Sequence, residues 1–384
     1  MTVPNIIGYR RADGRVGFRN RVIVIPLTGC QVEIARRIAS SVPVATCLGQ
    51  VHGCDLQGQD AELLATIIEH FATHPNVGGA LFLAMGCAAS LKFELPRKTK
   101  ESGRLVETLN TQNAGTTDTV EAGVKIVEDM AAQLAKVERE QVPFSALTVG
   151  TKCGASDANS FEHCHPVVGR ACDMLVEQGA TVVLSEDCEL VASAHILAER
   201  AETPEIAAKI RRIADDVKTG WQARFGQAFE DFTLATQTRE QWTKRSLAHA
   251  AKAGTTPFKG FFEMEDVIAG PGLVILNAPN TDLENVTALA AAGCNVTLFT
   301  TGRGTPVGSP ASITVKVTAT QKTAERMSEN IDVNVAGVVD GRESIDDAAA
   351  RVVQAVVDAA NGAETAAETL CHWEVAMPIR GVTY

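Results

Sequence analysis

The sequence has few aromatic residues and no excess of positive charge. Phe, Trp and Tyr make up 5% of the 384 residues, and 35 Lys and Arg stand against 46 Asp and Glu, which gives a formal net charge of -11. A surface of this sign is poorly suited to neutralise phosphates, and a single strand of nucleic acid would find few rings on which to stack. We therefore expect no nucleic-acid partner.

A long apolar run and a secretory leader are also missing. The longest apolar runs, 22–27 and 80–85, have the length of strands, whereas a membrane helix needs roughly 18 residues. Residues 1–11 contain no apolar segment followed by a small-residue cleavage site, so we expect a cytoplasmic protein that does not enter a membrane. In a reducing compartment the 10 cysteines would mostly be thiols, either metal ligands and nucleophiles or small buried hydrophobes.

The sequence does contain a regular alternation of two patterns. Short β-branched runs alternate with Ala-rich segments in which apolar residues stand three and four apart, as in α/β proteins with parallel sheets. Residues 202–253 interrupt this rhythm with a polar, helical stretch that contains no convincing strand. We predict two or three parallel-sheet α/β units, divided at 1–140, 141–253 and 254–384, with a helical connector before the C-terminal unit.

Four predicted strands are followed closely by a cysteine. Ligands of parallel sheets gather at the carboxyl ends of the strands, so these positions matter most. Three of the cysteines follow a glycine, which allows a tight turn or a close approach to a ligand. Four thiolates converging at one edge would suit iron, an iron–sulfur cluster or zinc, although each thiol could instead be a small core residue. The predicted metal ligands are Cys30, Cys54, Cys87 and Cys153.

Two further polar segments follow predicted strands. In the first, Ser156 and Asp157 suit a helix cap as well as a pocket, and residues 162–165, Glu-His-Cys-His, are groups for acid–base chemistry or metal binding. The second, 186–189, places three carboxylates and a thiol in four positions. Repulsion between like charges should raise the pKa of at least one of these carboxyls, as a general base requires, although a solvated acidic turn would have the same sequence.

A glycine-flanked arginine follows a predicted strand near the C-terminus. Residues 302–305 read Gly-Arg-Gly-Thr, and backbone amides beside a guanidinium form a site for a carboxylate or a sulfonate. The segment has no lysine of the Walker type, so we do not interpret it as a nucleotide loop.

Several motifs, in the same order along the chain, resemble those of the altronate and galactarate dehydratase family. They are residues 8–20 (Gly-Tyr-Arg-Arg-Ala-Asp-Gly-Arg-Val-Gly-Phe-Arg-Asn), 74–79 with Gly86-Cys87, 153–157 (Cys-Gly-Ala-Ser-Asp) and 300–306 (Thr-Thr-Gly-Arg-Gly-Thr-Pro). The resemblance covers essentially the whole chain. It implies iron-dependent sugar-acid hydro-lyases or the large subunit of a (2R)-sulfolactate sulfo-lyase, both of which carry out β-elimination beside a carboxylate.

The resemblance also implies a partner and some losses. Family members of full length carry a small SAF domain before the first motif, so a separate small SAF-domain subunit is implied here, as is an oligomer. Two carboxylates of the family pattern are replaced by Ala88 and Ala194, and a histidine by Gln50, with His52 close by. A changed substrate would explain these differences, and so would a non-catalytic paralogue that binds an organic acid.

We therefore expect a lyase that dehydrates a small hydroxy acid or sugar acid with the help of iron, as Fe2+ or a cluster, and a sulfo-lyase is the nearest alternative. Glu189 or Glu186 would be the base, and the proton transfer would be completed by Asp157, Lys152 or His163. The remaining expected contacts to the carboxylate substrate are Arg303, Ser156, Gly304, Thr305 and His52.

Overall fold

The computed structural model describes residues 5–86 and 91–380. Two parallel sheets with helices on their faces form its body, as predicted from the alternation of patterns. No helix within the described ranges has the length and apolar character needed to cross a membrane.

The N-terminal unit is built on a four-stranded parallel sheet with the strand order β4-β3-β5-β6. Helices α1 and α4 cover one face and α2 covers the other, because the buried strands present apolar side chains on both sides. Its elements are β1 (Ile6–Arg10), β2 (Val16–Gly17), β3 (Arg21–Pro26), α1 (Val32–Ser40), β4 (Ala45–Cys47), α2 (Gly58–Ala72), β5 (Val77–Ala84), α3 (Leu91–Glu101), β6 (Leu105–Asn110), α4 (Thr111–Leu134) and β7 (Glu140–Val142).

The second unit is built on a seven-stranded parallel sheet with the strand order β10-β11-β9-β8-β12-β13-β14. Its elements are β8 (Thr148–Gly154), α5 (His165–Glu177), β9 (Thr181–Leu184), α6 (Asp187–Leu190), α7 (Ala194–Leu197), α8 (Pro204–Phe225), α9 (Phe229–Leu234), α10 (Arg239–Ala250), β10 (Phe258–Glu263), β11 (Gly272–Asn277), α11 (Asp282–Ala291), β12 (Val296–Thr301), β13 (Ile313–Thr318), α12 (Gln321–Arg326), β14 (Val333–Asn334), α13 (Ile345–Ala360) and α14 (Ala366–Thr369).

The predicted helical connector is confirmed as α8, α9 and α10, which contain no strand. A cluster of aromatic rings folds these helices back on one another, with 5.0 Å between the ring centroids of Trp221 and Phe229 and 5.9 Å between those of Phe229 and Trp242. All three rings are buried in the core that lies under the seven-stranded sheet. The connector is therefore part of the second unit rather than a linker outside it.

The prediction placed a unit boundary at 253/254, and strands from both sides of that position belong to one sheet. Strand β11, from the C-terminal side, pairs with β9, and β12 pairs with β8. Parallel pairing does not require neighbouring sequence, since each crossover helix can return the chain to either edge of the sheet. We therefore describe the chain as two units, with a small antiparallel sheet, β2-β1-β7, that pairs the first strands of the chain with the strand between the two units.

The two units pack directly against each other. The Asn76 amide nitrogen donates to the carbonyl oxygens of Asn295 (3.0 Å) and Ala311 (2.9 Å). Helix α11 packs against α2, and its last two residues, 290–291, join the apolar core of the N-terminal unit. The units are thus held together by buried hydrogen bonds as well as by apolar contact.

Candidate active site

The site begins at the carboxyl end of β8, where Lys152 and Cys153 are both buried. The Lys152 ammonium donates to the Glu186 carboxylate (2.5 Å) and to the Asn280 carbonyl oxygen (2.7 Å), and it lies 3.2 Å from the Asp282 carboxylate. Burial alone would lower the pKa of Lys152, but the two carboxylates outweigh it and raise the pKa. Lys152 is therefore a permanent cation in this cluster.

Glu186 follows β9 and is the centre of the cluster. Its side chain is 1% exposed, and one carboxylate oxygen accepts from Lys152. The other oxygen is 2.7 Å from the Lys252 ammonium and 3.2 Å from His249 Nε2, and it also accepts from the Cys153 backbone N–H (3.3 Å). Burial would raise the pKa of Glu186, but the neighbouring cations hold it well below the usual value.

The backbone of Glu186 has an unusual conformation. Its φ of 80° and ψ of 70° lie in the left-handed region, which residues other than glycine and asparagine rarely adopt. Such a conformation persists only where the surroundings hold it in place, and it is most often found at functional sites. The ion pairs of the Glu186 carboxylate supply that restraint.

Helix α10 and the turn after it deliver His249 and Lys252. A capping box of Thr238 and Gln241 starts α10, and its buried face carries Ser246 and His249. The His249 ring nitrogen Nδ1 is 3.4 Å from Cys153 Sγ, and the Lys252 ammonium is 2.5 Å from His249 Nε2. Burial and Lys252 would lower the pKa of His249, whereas Glu186 and Cys153 raise it above the usual value.

Sequence analysis did not predict His249 or Lys252. His249 stands 96 positions after Cys153, in a helix whose other residues are mostly polar. A signal does exist, because Ser246, His249 and Lys252 are three residues apart and so lie on one helical face. The same spacing occurs on solvated helix faces, and only the structure shows that this face is buried.

Three atoms of the cluster could hold a metal ion. Cys153 Sγ, a carboxylate oxygen of Glu186 and a ring nitrogen of His249 lie within 4.8 Å of one another, and all three residues are buried. Thiolate, carboxylate and imidazole together suit iron or zinc. The ligand set therefore fits a transition metal, with one complication: the Lys252 ammonium already contacts two of the three ligands.

The other predicted cysteines lie at the other sheet. Cys30 and Cys54 are exposed and follow β3 and β4, whose ends meet where the Gly29 N–H donates to the His52 carbonyl oxygen (2.8 Å). Within 5–86 and 91–380, no group of three metal-ligating side chains includes either of these two cysteines. Cys87 lies outside the described residues, as does Ala88.

The predicted substrate-binding residue His52 is paired at this N-terminal edge. Its Nδ1 is 2.7 Å from the Asp55 carboxylate, and the ring is partly exposed. The Asp55 carboxylate also accepts from the Gly53 N–H (2.6 Å). His52 and Asp55 thus form an ordered pair beside the two exposed thiols.

The loop after Cys153 contains Asp157, and its carboxylate accepts from three groups: the Ser160 N–H (2.9 Å), the Ser160 hydroxyl (3.0 Å) and the Thr320 hydroxyl (2.6 Å). Burial would raise the pKa of Asp157, but these hydrogen bonds lower it overall. Ser156 is half-buried in the same loop, and His163 is half-buried in a π-helical turn, Ser160–Cys164. In this position Asp157 organises the start of the following helix.

Arg303 lies in the loop that packs against this one. Its backbone N–H donates to the Ala155 carbonyl oxygen (3.0 Å), and its side chain is exposed. The Gly304 N–H donates to the Thr301 hydroxyl (3.0 Å), and the buried Thr305 hydroxyl accepts from the Val307 N–H (3.3 Å). The predicted anion loop and the Cys153 loop are therefore neighbours.

Two carboxyls of the 186–189 segment lie outside the ion cluster. The Glu189 carboxylate, 18% exposed, accepts from the Arg245 guanidinium (3.0 Å). Asp187, which follows Glu186, accepts from the Cys188 N–H (2.6 Å), and burial raises its pKa to about 7. The four-residue segment thus combines one strongly acidic and one weakly acidic carboxyl, and the main cause of the raised pKa of Asp187 is burial, with repulsion by Glu186 a smaller contribution.

Both units of the chain match families of known proteins. Residues 144–383 match the family described as D-galactarate/Altronate dehydratase, C-terminal, and residues 8–135 match D-galactarate dehydratase/Altronate hydrolase, second domain. The chain belongs to the galactarate/altronate dehydratase family. The resemblance inferred from the sequence motifs is therefore confirmed, and the chain is an enzyme of a hydro-lyase family.

The alignments with individual relatives cover most of this chain and varying shares of the relatives. The altronate dehydratase of Bacillus subtilis is 33% identical over 340 residues, which are 85% of this chain and 68% of that protein. The altronate dehydratase of Escherichia coli is 28% identical, with 98% and 78% covered. The (2R)-sulfolactate sulfo-lyase subunit beta of Chromohalobacter salexigens is 28% identical, with 96% of this chain and 95% of that protein covered.

Proposed function

We propose that this lyase removes water from a small hydroxy acid or sugar acid by β-elimination beside the carboxylate, assisted by iron. The observation that carries the proposal is the buried cluster at the carboxyl ends of β8 and β9, in a chain that belongs to a dehydratase family. Lys152, Cys153, Glu186, His249 and Lys252 concentrate cations, a thiol and a carboxylate where ligands of parallel sheets bind.

Iron would be held in this proposal by Cys153, Glu186 and His249, whose ligand atoms already lie within 4.8 Å of one another. When bound, such an ion acts as a Lewis acid on oxygen atoms of the substrate. A mixed set of thiolate, carboxylate and imidazole favours a single Fe2+ over an iron–sulfur cluster, since clusters are held mainly by thiolates. A site at Cys30, Cys54 and Cys87 stays a prediction from the sequence.

The chain's own residues supply charge and proton transfer. In the elimination, a base removes the proton from the α-carbon, and the electrons of that C–H bond form the C=C bond. The C–O bond at the β-carbon breaks, and the hydroxyl takes up a proton and leaves as water. The resulting enol then becomes the 2-oxo acid. Lys152 stays protonated beside Glu186, so its charge can stabilise the departing oxygen. Since Glu186 already forms ion pairs with two ammonium groups, Glu189, paired with the half-exposed Arg245, is the better candidate for the base.

One side of the cluster is open to solvent and offers a route for the substrate. Asp282, with 35% of its side chain exposed, marks the side from which a ligand can reach Lys152. The exposed guanidinium of Arg303 would bind the distal carboxylate, beside the loop of Ser156 and Asp157. Gly304, Thr305 and His52 stay candidates for substrate contacts, and His163 for proton transfer.

A substrate panel tests this proposal. Anaerobically purified protein, loaded with Fe2+, is given altronate, galactarate and related hydroxy acids, and formation of the 2-oxo acid is measured. Cys153→Ser should lower kcat/KM at least tenfold, because a ligand of the proposed iron is lost, and Cys371→Ser, an exposed thiol outside the cluster, serves as the matched control. If no acid of the panel is dehydrated, with or without a small subunit, the proposed reaction is wrong.

A sulfo-lyase is the second candidate, and one observation favours it. The sulfo-lyase subunit is 28% identical over 96% of this chain, which is the same level of identity as that of the Escherichia coli altronate dehydratase, 28% over 98% of this chain. With sulfolactate in the same assay, sulfite rather than water would leave. Sulfite release without dehydration of any sugar acid would decide for this candidate.

We also propose a small partner subunit, which would carry the SAF domain implied by the sequence motifs. The support is again the sulfo-lyase relative, whose name describes it as one subunit of an enzyme. Co-expression of the chain with a small SAF-domain protein, followed by size-exclusion chromatography, should give a stable complex with a higher kcat/KM than the chain alone. Separate elution of the two proteins would exclude this partner.

A further inference from the structure

We propose that the Lys252 ammonium competes with a metal ion for Glu186 and His249, and that it moves to His165 when the metal enters. This inference rests on the proposed metal site of Cys153, Glu186 and His249 and adds a regulation of that site. Lys252 would be a positioning residue, since it acts on the occupancy of the metal ligands rather than on the substrate.

The contacts of Lys252 are those expected of a cation held by metal ligands. Its Nζ lies 2.7 Å from the Glu186 carboxylate and 2.5 Å from His249 Nε2, and the side chain is fully buried. A metal bound to Glu186 and His249 needs the carboxylate oxygen and the ring nitrogen that Lys252 now contacts. Lys152 differs, because it contacts the opposite carboxylate oxygen and is held in addition by Asn280 and Asp282.

The charges around the proposed metal site also favour the departure of Lys252 when a metal enters. The buried Glu186 carboxylate faces the ammonium groups of both Lys152 and Lys252, whereas the partly exposed Asp282 carboxylate faces Lys152. A divalent ion added beside Glu186 would leave an excess of positive charge there, which is costly in a region with little water. Withdrawal of Lys252 from the ligands reduces the repulsion, so metal entry and Lys252 departure should be coupled.

His165 offers the displaced ammonium a new acceptor. Its ring lies edge-on to that of His249, with 6.2 Å between the ring centroids. Its Nδ1 is 2.9 Å from the Ala248 carbonyl oxygen, and because a carbonyl can only accept, Nδ1 must carry the hydrogen. The neutral ring then has its lone pair on Nε2.

That lone pair has no partner among the described residues, although the atom is buried. A buried polar atom without a partner is rare in folded proteins and calls for an explanation. The side chain of His165 is almost completely buried, and a hydrogen on Nε2 would have no acceptor there within 5–86 and 91–380, so Nε2 keeps its lone pair and is free to accept. The unpaired His165 Nε2 is explained if it accepts from the Lys252 ammonium once that ammonium leaves Glu186 and His249.

Cobalt binding tests the exchange with a readout that does not need catalysis. Co2+ is titrated into the metal-free protein, and absorption from the thiolate–cobalt bond is followed, with Cys153→Ser as the variant that must lose it. Lys252→Met should bind Co2+ at least tenfold more tightly than the wild type, since nothing has to be displaced. Equal or weaker binding by this variant, or no thiolate band in either protein, overturns the proposal.

A double-mutant cycle tests the role of His165. His165→Phe should weaken Co2+ binding about fivefold or more in the wild-type background, because the ammonium loses its acceptor, and should have no effect in the Lys252→Met background. His165→Gln, whose amide oxygen can take the position of Nε2, should restore the affinity. Equal effects of His165→Phe in both backgrounds would remove His165 from the mechanism.

Wild-type crystals give a measurement that does not depend on folding of the variants. After a soak with Co2+, the ion should be bound by Cys153, Glu186 and His249, with Lys252 Nζ beyond hydrogen-bond distance of both Glu186 and His249. An ion at these ligands with Lys252 still in contact would overturn the exchange, as would an ion bound elsewhere. The dehydration assay is independent of these results, so failure of the exchange and failure of the proposed reaction can be told apart.

Discussion

At the scale of single residues, Glu186 determines the chemistry of the site. Its carboxylate accepts from Lys152 and the Cys153 N–H, and it forms ion pairs with Lys252 and His249. Taken singly, each of these cations would be expensive to bury, and the shared carboxylate makes their burial tolerable. The left-handed backbone of Glu186 brings the carboxylate into reach of all of them.

Replacement of Glu186 by glutamine should therefore destabilise the fold strongly. Without the carboxylate, two buried ammonium groups lose their counter-charge, and removal of one member of a buried ion pair costs about 3–5 kcal/mol. Urea denaturation at pH 7 measures the change. Glu189→Gln, which removes one partly exposed ion pair, should cost about 1 kcal/mol or less. Equal losses in both variants would contradict the central role of Glu186.

The sequence predicted part of this cluster because strand ends can be recognised. Lys152, Cys153 and Glu186 follow apolar runs, and parallel strands bring their carboxyl ends to one edge of the sheet. His249 and Lys252 could not be found in this way. His249 lies on α10 and Lys252 in the turn after it, and only the packing of this segment shows that both side chains are buried.

At the scale of elements, the turn after α10 is held in position by a glycine of α5. A Cβ atom at Gly169 would lie 2.0 Å from the Ala251 carbonyl oxygen, so only glycine allows α5 and the turn 251–253 to approach this closely. Lys252 belongs to this turn. The position of the ammonium therefore depends on a contact between two backbones.

Gly169→Ala should consequently lower stability, although alanine favours helix. The gain in helix propensity is about 1 kcal/mol, whereas separation of well-packed elements costs about 1–3 kcal/mol or more. We expect a lower midpoint of urea denaturation for Gly169→Ala. Gly123→Ala, in α4, is the matched control, because its new Cβ would meet the end of the Ile38 side chain, which can shift more easily than a backbone. A Gly169→Ala protein as stable as the wild type would show that the close approach is dispensable.

At the scale of the whole molecule, one buried ion cluster joins the start of the chain to its end. Glu368, in α14, accepts from the Arg19 guanidinium (2.7 Å) and from that of Arg21, and all three side chains are largely buried. Burial would raise the pKa of Glu368, but the two arginines lower it to about 2. The cluster closes the contact between the N-terminal unit and the last helix.

The pKa of Glu368 predicts an acid-sensitive contact. A carboxyl whose pKa falls from 4.5 when unfolded to about 2 when folded stabilises the protein fully above about pH 4.5, and the contribution is lost as the pH falls through 2. It amounts to about 3 kcal/mol at pH 7, from about 1.4 kcal/mol per pKa unit. The difference in stability between wild type and Glu368→Gln should therefore shrink as the pH falls below 4.5.

Urea denaturation from pH 7 down to the lowest pH at which the wild type still folds would measure this difference. Glu140→Gln is the control, since the pair of Glu140 with Arg10 is about half exposed and should contribute little at any pH. A difference between wild type and Glu368→Gln that stays constant with pH would contradict the pKa assigned to the folded state.

The sequence by itself determined the class of the fold and the strand ends of the site. Alternating periods of two and 3.6 residues are local properties, and so are the polar residues that follow an apolar run. Only the tertiary structure decided that the strands on both sides of 253/254 share one sheet, and that α10 returns over its edge with His249 and Lys252. These choices depend on contacts between residues far apart in the chain, such as the aromatic cluster of Trp221, Phe229 and Trp242, and no local pattern specifies them.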